Sequence, residues 1–148
     1  MVAIDLISSV PFFDSFDQDK LEIIQPFFNI LHVKAGETIL TQGQFNLTLF
    51  YLIEGSIDVF VDDSFVITYQ SDGTLIGEMS IAGHTTCSAT IIAKTPCQFL
   101  TVSWEELQNK LDDSYKDIIM KLFYKSCSEI LAQKLILTNA IAKTFQRR

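Results

Sequence analysis

From Leu31 to roughly Val102 the chain is cut into short apolar or alternating runs: ILHVKAGETIL, LFYLIEG, SIDVFV, FVITYQSDG, TLIGEM, SATIIA and CQFLTVS. Gly36, Gly43, Gly55 and Gly73 stand between them. Runs of this length, rich in β-branched and aromatic residues and bounded by glycine, predict strands. In DVFVDDSFVIT the triplet Asp62-Asp63-Ser64 separates two runs and predicts a hairpin turn. Seven or eight short strands in about 70 residues, with no crossover helices between them, do not make a parallel sheet. They predict an antiparallel jelly-roll barrel, so the fold class is mainly β with flanking α.

Both ends of the chain change period. IDLISSV and PFFDSF read as helix and turn, followed by a helix from about Asp17 through Phe28 with Leu21, Ile24 and Phe28 at helical spacing. Asp17 is its expected N-cap. After the strands, Ser103 followed by Glu106 is a capping box that opens a short helix, WEELQNKL, and Ser114 with Asp117 repeats the signal. From there to Gln146 no Gly or Pro interrupts, and Tyr115, Ile118, Leu122, Ile130, Leu137, Ile141 and Phe145 recur at helix-compatible intervals. The division expected is a body over 1–113 and a helix of about 30 residues within 114–148. Such a helix carries more apolar surface than one barrel covers, so Leu122, Ile130, Leu137 and Ile141 are expected to seat a homodimer.

With 148 residues there is room for one domain and its helix, and 48% hydrophobic residues suffice for a core. A net charge of -7 repels phosphate backbones, and no helix-turn-helix follows the long helix, so nucleic acid is not expected as a partner. No apolar run reaches the ~20 residues of a membrane span, and MVAIDLISSV has no basic leader; a cytoplasmic protein without a membrane contact is expected. Cys87, Cys97 and Cys127 are odd in number and lack CxxC spacing, which reads as buried thiols rather than disulfides or zinc ligands. His32 and His84 are isolated, so neither metal nor hydrolytic chemistry is indicated and no enzyme is expected. Residues 114–148 hold seven Lys/Arg and two Asp/Glu, against four and sixteen in the remainder. That segregation reads either as a solvated helix face or as a basic helix laid on the acidic body of another subunit or a protein partner.

The order of elements resembles the cyclic-nucleotide-binding domain family, which includes the sensor domains of catabolite activator proteins and protein kinase A regulatory subunits. The resemblance covers nearly the whole chain and rests on VPFFDSF, KAGETILTQG, FYLIEGSIDVF and DGTLIGEMSIAGHTTCSATIIA. The family's phosphate-binding cassette, approximately F-G-E-x-A-L-x-x-x-x-P-R-x-A, aligns without a gap on Ile76 through Ala89. The resemblance implies a ligand site at Gly77, Glu78, Met79, Ser80, Thr86, Cys87, Ser88 and Ala89. Gly77 would turn a short helix toward the phosphate, Glu78 would accept from the ribose hydroxyl, and an arginine would neutralise the phosphate.

That arginine is replaced by Cys87 and the proline before it by Thr86. From Ala35 to Ala93 there is no Lys or Arg, and only His84 can become positive. Losing an Arg–phosphate contact removes roughly 1.5–3 kcal/mol, about tenfold to over a hundredfold in affinity, unless Lys34, Lys94 or a basic residue of a long helix replaces it. Glu78 has a second reading, as a carboxylate that satisfies backbone N–H groups at a helix start. Beyond Gly43, Asn46 is suited to a left-handed backbone, and Phe45 and Leu47 either pack on the barrel rim or form an exposed contact surface. The expected function is a non-catalytic regulatory module with a degenerate nucleotide site and no cofactor, acting by dimerisation and protein contact. The alternative is a sensor that takes cyclic AMP or cyclic GMP by another route, or a less anionic ligand.

Overall fold

The computed structural model describes residues 1–71, 74–81, 83 and 86–146, with side chains as far as residue 132. Two short helices, α1 (Ile4–Ser9) and α2 (Gln18–Ile24), precede eight strands: β1 (Phe28–Val33), β2 (Thr38–Leu40), β3 (Thr48–Glu54), β4 (Ser56–Val61), β5 (Ser64–Gln70), β6 (Leu75–Ile76), β7 (Thr90–Ala93) and β8 (Cys97–Ser103). Helices α3 (Trp104–Lys110) and α4 (Asp113–Gln146) follow. The strands form two four-stranded sheets, ordered β1-β8-β3-β6 and β2-β7-β4-β5, and every pairing is antiparallel. The expectation of a mainly β, antiparallel fold flanked by helices is met.

Local signals account for most boundaries. Asp17 caps α2, its Oδ1 accepting from the Lys20 N–H at 3.0 Å, and Ser103 caps α3, its Oγ accepting from the Glu106 N–H at 3.2 Å. The helix does not run to Phe28, however. Pro26 lacks the N–H that would continue the ladder, so α2 stops at Ile24, a 3-10 turn spans Gln25–Phe27, and Phe28 opens β1. Nor does Ser114 cap α4: Asp112 does, its Oδ1 accepting from the Ser114 N–H at 2.9 Å and from the Ser114 hydroxyl at 2.7 Å. Between β4 and β5 the reversal uses Asp62 and Asp63, at φ 51° and 63°, while Ser64 already belongs to β5.

The larger core lies where α1, the Pro11–Phe13 turn, α2, α3 and α4 cover the β1-β8-β3-β6 sheet. Phe123 of α4 sits at its centre, with ring centroids 5.4 Å from Phe12, 5.4 Å from Phe16 and 5.6 Å from Trp104. Tyr51 of β3 lies beneath, 5.1 Å from Phe13, fully buried and with no hydrogen-bond partner for its hydroxyl among the described residues. Edge-to-face aromatic pairs add about 0.5–1.5 kcal/mol each beyond area burial, which fastens the first half of α4 to its own barrel. A smaller core between the sheets joins Val33, Phe50, Leu52, Ile57, Ile91 and Phe99, among others.

Candidate functional site

Beside the smaller core, Leu40 of β2, Val59 of β4, Tyr69 of β5, Leu75 and Ile76 of β6 and Ile91 of β7 wall a cavity of about 170 Å3. Its remaining lining is Asn46, Gly77, Glu78, Met79, Ser80, Thr86, Cys87, Ser88 and Ala89. All eight residues expected at a ligand site are therefore gathered around one space. The strand residues of the wall carry no motif; their signal was inward alternation along strands whose partners the sequence alone did not name.

Gly77 makes the turn out of β6 possible. Its backbone is left-handed, φ 84°, and a Cβ there would run into the Thr48 carbonyl oxygen and lie 3.0 Å from Asn46 Nδ2. Only glycine fits both constraints. The 3-10 turn that follows, Glu78–Ser80, is closed by Ser80, whose N–H at 3.3 Å and hydroxyl at 2.7 Å both donate to the Gly77 carbonyl. Ser80 is buried, so its hydroxyl serves the turn. Asn46 does not adopt the left-handed backbone expected of it: among the described residues only Asp62 and Asp63 do so without being glycine. Its amide instead donates to the Thr48 carbonyl at 2.8 Å and accepts from the Thr48 N–H at 3.1 Å.

The opposite rim, Thr86–Ala89, is fastened to the loop after β2. The Gly43 N–H donates to the Cys87 carbonyl at 2.8 Å, the Cys87 N–H donates to the Gln44 carbonyl at 2.9 Å, and Phe45 forms a bridge with Thr86. Gln42 extends the same loop to the hairpin turn, its amide donating to Asp62 Oδ1 at 3.0 Å and accepting from the Asp62 N–H at 2.8 Å. Residues 42–46 thus join the hairpin, the cassette exit and the Gly77 turn. This role of Gln42 had no local sequence signal. Phe45 projects from the loop 69% exposed and Leu47 is half-buried, so the first forms exposed apolar surface and the second does not.

Among the described residues the cavity lining contains no Lys or Arg. Lys34 lies at the corner after β1, with its N–H on Glu37 Oε1, and Lys94 lies beyond the end of β7 away from Ala89; both are exposed and neither lines the cavity. His84 and Thr85 fall outside the described residues. Cys87 is half-buried, and burial pushes its thiol up from the ordinary value, which keeps the S–H rather than the thiolate. Among the described lining residues Glu78 supplies the only carboxylate, and Ser88 and Thr86 supply exposed hydroxyls. Ion pairs among the described residues are Lys20–Asp17 and Lys110–Glu106, on α2 and α3.

The residues from β1 to the start of α4, 30–114, match the family model of the cyclic nucleotide-binding domain. The chain belongs to this family. Among curated proteins it is similar to the cAMP-activated global transcriptional regulator CRP of Pasteurella multocida, 33% identical over 93 residues, which is 60% of this chain and 44% of the relative. The chain spans about half the length of the curated relatives it matches. Its fold is similar to that of a candidate cyclic nucleotide-binding protein from Geobacter metallireducens GS-15, with TM-score 0.79, 16% identity, and 91% and 99% of the two chains covered. It is likewise similar to the catabolite activator protein of Thermus thermophilus, with TM-score 0.71, 18% identity, and 92% and 63% covered.

On α4, Ile119, Phe123 and Cys127 are buried against the chain's own core, and Leu122 and Ile130 are half-buried and pack on that core as well. The exposed apolar residues of the described part of the helix are Tyr115, Ile118 and Tyr124. The side chains of Leu137 and Ile141 lie outside the described set. Among the described residues no group of three His, Cys, Asp or Glu side chains is placed to hold a metal, and no helix is long and apolar enough to cross a membrane.

Proposed function

We propose that this chain is a non-catalytic regulatory module of the cyclic nucleotide-binding domain family whose nucleotide site has degenerated, and that it acts as a homodimer through contact with a protein partner. The observation that carries the reading is the cavity itself: it stands where the cassette folds, Cys87 aligns with the arginine position of the family pattern, and no Lys or Arg lines it among the described residues. A cyclic phosphate entering would meet the Glu78 carboxylate with only backbone dipoles to offset its charge. The remaining apolar surface on α4 at Tyr115 and Ile118, together with the opposite charges of helix and body, supports association with a second copy or a partner.

Calorimetric titration with cyclic AMP and cyclic GMP tests the site. No dissociation constant below about 10 µM is expected, and one below that value overturns the reading. Cys87→Arg is expected to raise affinity about tenfold or more, because it restores the charge-assisted contact. Light scattering at ~100 µM tests the dimer, well above the affinity of a stable pair; a monomer there overturns that part. A second reading, a sensor of a less anionic molecule, is favoured by the cavity having kept its walls.

A further inference from the structure

The two sheets end in four edge strands, and three of them are blunted. β2 and β6 are three and two residues long, and β1 is bracketed by Pro26 before it and Lys34 after it. β5 is the exception. It runs for seven residues, Ser-Phe-Val-Ile-Thr-Tyr-Gln, with no charge, proline or glycine, and among the described residues it pairs with β4 alone. Alternate residues therefore turn their N–H and C=O groups away from β4, along a flank that no described strand covers. The register passes from Val59–Ile67 to Phe60–Phe65, so Val66 bulges beside the hairpin turn while Ile67 to Gln70 stay in regular step. Apolar side chains are exposed where the strand begins: Phe65 is 58% and Val66 55% exposed, and the Phe65 ring meets half-buried Phe60 at 5.9 Å.

Charge decides what can add to this edge. Between Ala35 and Ala93 the only side chains of fixed charge are acidic; Asp62 and Asp63 stand at one end of β5, and Asp72 follows the other end in the sequence. Asp62 takes its hydrogen bond from the neutral Gln42 amide, and the ion pairs among the described residues lie on α2 and α3. A second copy of β5 is a poor neighbour. Paired parallel, two copies would set their Asp62-Asp63 turns side by side, and paired antiparallel each turn would meet the end that continues into Asp72. From these observations we infer that β5 is a docking edge for an extended segment of a partner protein, with β-branched or aromatic residues along its middle and Lys or Arg at its ends. Main-chain hydrogen bonds to the free flank supply the affinity, Phe65 and Val66 supply apolar contact, and the acidic ends select the basic segment. The inference rests on the proposed protein contact and names its surface and the chemistry of its partner.

The probes are three synthetic peptides titrated into the intact chain by NMR: KKVTVTVKK, the acid-ended EEVTVTVEE, and KKVTVTVKK with every Val and Thr nitrogen methylated. The basic peptide is expected to bind at least about tenfold more tightly than the acidic one and to slow hydrogen exchange at β5 amides. Methylation removes the main-chain donors and leaves the charge, so it is expected to cost about tenfold or more; general attraction of a basic peptide to an acidic protein predicts no such loss. Phe65→Lys, at an exposed position, is expected to abolish binding. Asp62→Asn with Asp63→Asn keeps the left-handed turn, which asparagine tolerates, and is expected to shrink the preference for basic ends to below about threefold. Equal binding of the methylated peptide, no binding of the basic peptide, or protection at β1 in place of β5 overturns the inference. Self-association that Phe65→Lys removes would assign the edge to a second copy and overturns it as well. Cyclic AMP titration and light scattering on the same preparation keep the failures apart: tight cyclic AMP binding or a monomer overturns the proposed module whatever the peptides do, whereas absent peptide selectivity in a dimer that binds no cyclic AMP overturns the β5 edge alone.

Discussion

The side of the sandwich under the helices rests on the β1-β8-β3-β6 sheet, the side that holds the cavity draws mostly on β2, β4, β5 and β7, and the two are secured by different means. Under the helices, Phe12, Phe13, Phe16, Tyr51, Trp104 and Phe123 interlock from four separate elements, so each ring holds several segments at once. Around the cavity the fastenings are turns and single hydrogen bonds: the left-handed Gly77, the Asn46 amide, the Gly43 and Cys87 backbone pair and the Gln42–Asp62 contact. Aromatic packing is concentrated on the helix side, and turn geometry on the cavity side.

The largest break in this comparison is expected from Phe123→Ala. It removes a fully buried ring from the interlocked side and should cost about 3–5 kcal/mol, read by chemical denaturation, with α4 losing its dock on the barrel. Gly77→Ala is expected to cost less, about 1–3 kcal/mol, because a left-handed alanine is strained and its methyl meets the Thr48 carbonyl. Its signature is local: hydrogen exchange should accelerate at residues 46–48 and 76–81 while the amides around Phe123 keep their protection. Equal acceleration on both sides would show that the two faces are not separately secured.

Two smaller effects sharpen the contrast. Tyr51→Phe removes a buried hydroxyl that has no partner among the described residues and should stabilise the interlocked side by up to about 1 kcal/mol, seen as a higher midpoint in thermal unfolding. A lower midpoint would mean that the hydroxyl is satisfied. At the helix ends, the Ser114 hydroxyl and N–H hold the Asp112 carboxyl below its usual value, and the Lys20 N–H and side chain do the same for Asp17. Since the folded-state values are lowered, these caps contribute above the unfolded value near ~3.9 and lose their contribution as pH falls toward the folded values. Asp112→Asn keeps the cap but cannot titrate, so its stability should fall less steeply than the native chain's as pH drops below the unfolded value of about 3.9.

What was legible in the sequence follows the range of the interaction behind each signal. The caps at Asp17 and Ser103 and the Asp62-Asp63 reversal are set by residues a few positions apart, and the composition of those stretches announces them, whereas the turn at Gly77 is legible only through the family resemblance. The end of α2 was equally local, written in Pro26, but the apolar spacing through Phe28 masked it. The cap at Asp112 was displaced by two residues because Ser114 offers a hydroxyl that the structure uses as donor instead. Other features depended on distant partners. Nothing near Gln42 indicates Asp62, and nothing on α4 distinguishes Leu122 and Ile130, which meet the chain's own core, from Tyr115 and Ile118, which face solvent.

The pairing of β1 with β8 has a consequence in time. Phe28 lies opposite Val102 and Val33 opposite Cys97, so among the described residues the first strand pairs with the last strand to be synthesised. Until Ser103 leaves the ribosome, β1 and the inner edge of β3 wait unpaired, and the helical N-terminus has no sheet to cover. Closing such a long loop ahead of the contacts that reward it makes for slow folding compared with a helical bundle of equal size. The nascent chain must therefore be kept from other exposed strands until the barrel closes, and circular permutants that place β1 directly after β8 should reach the native state faster than the natural order does.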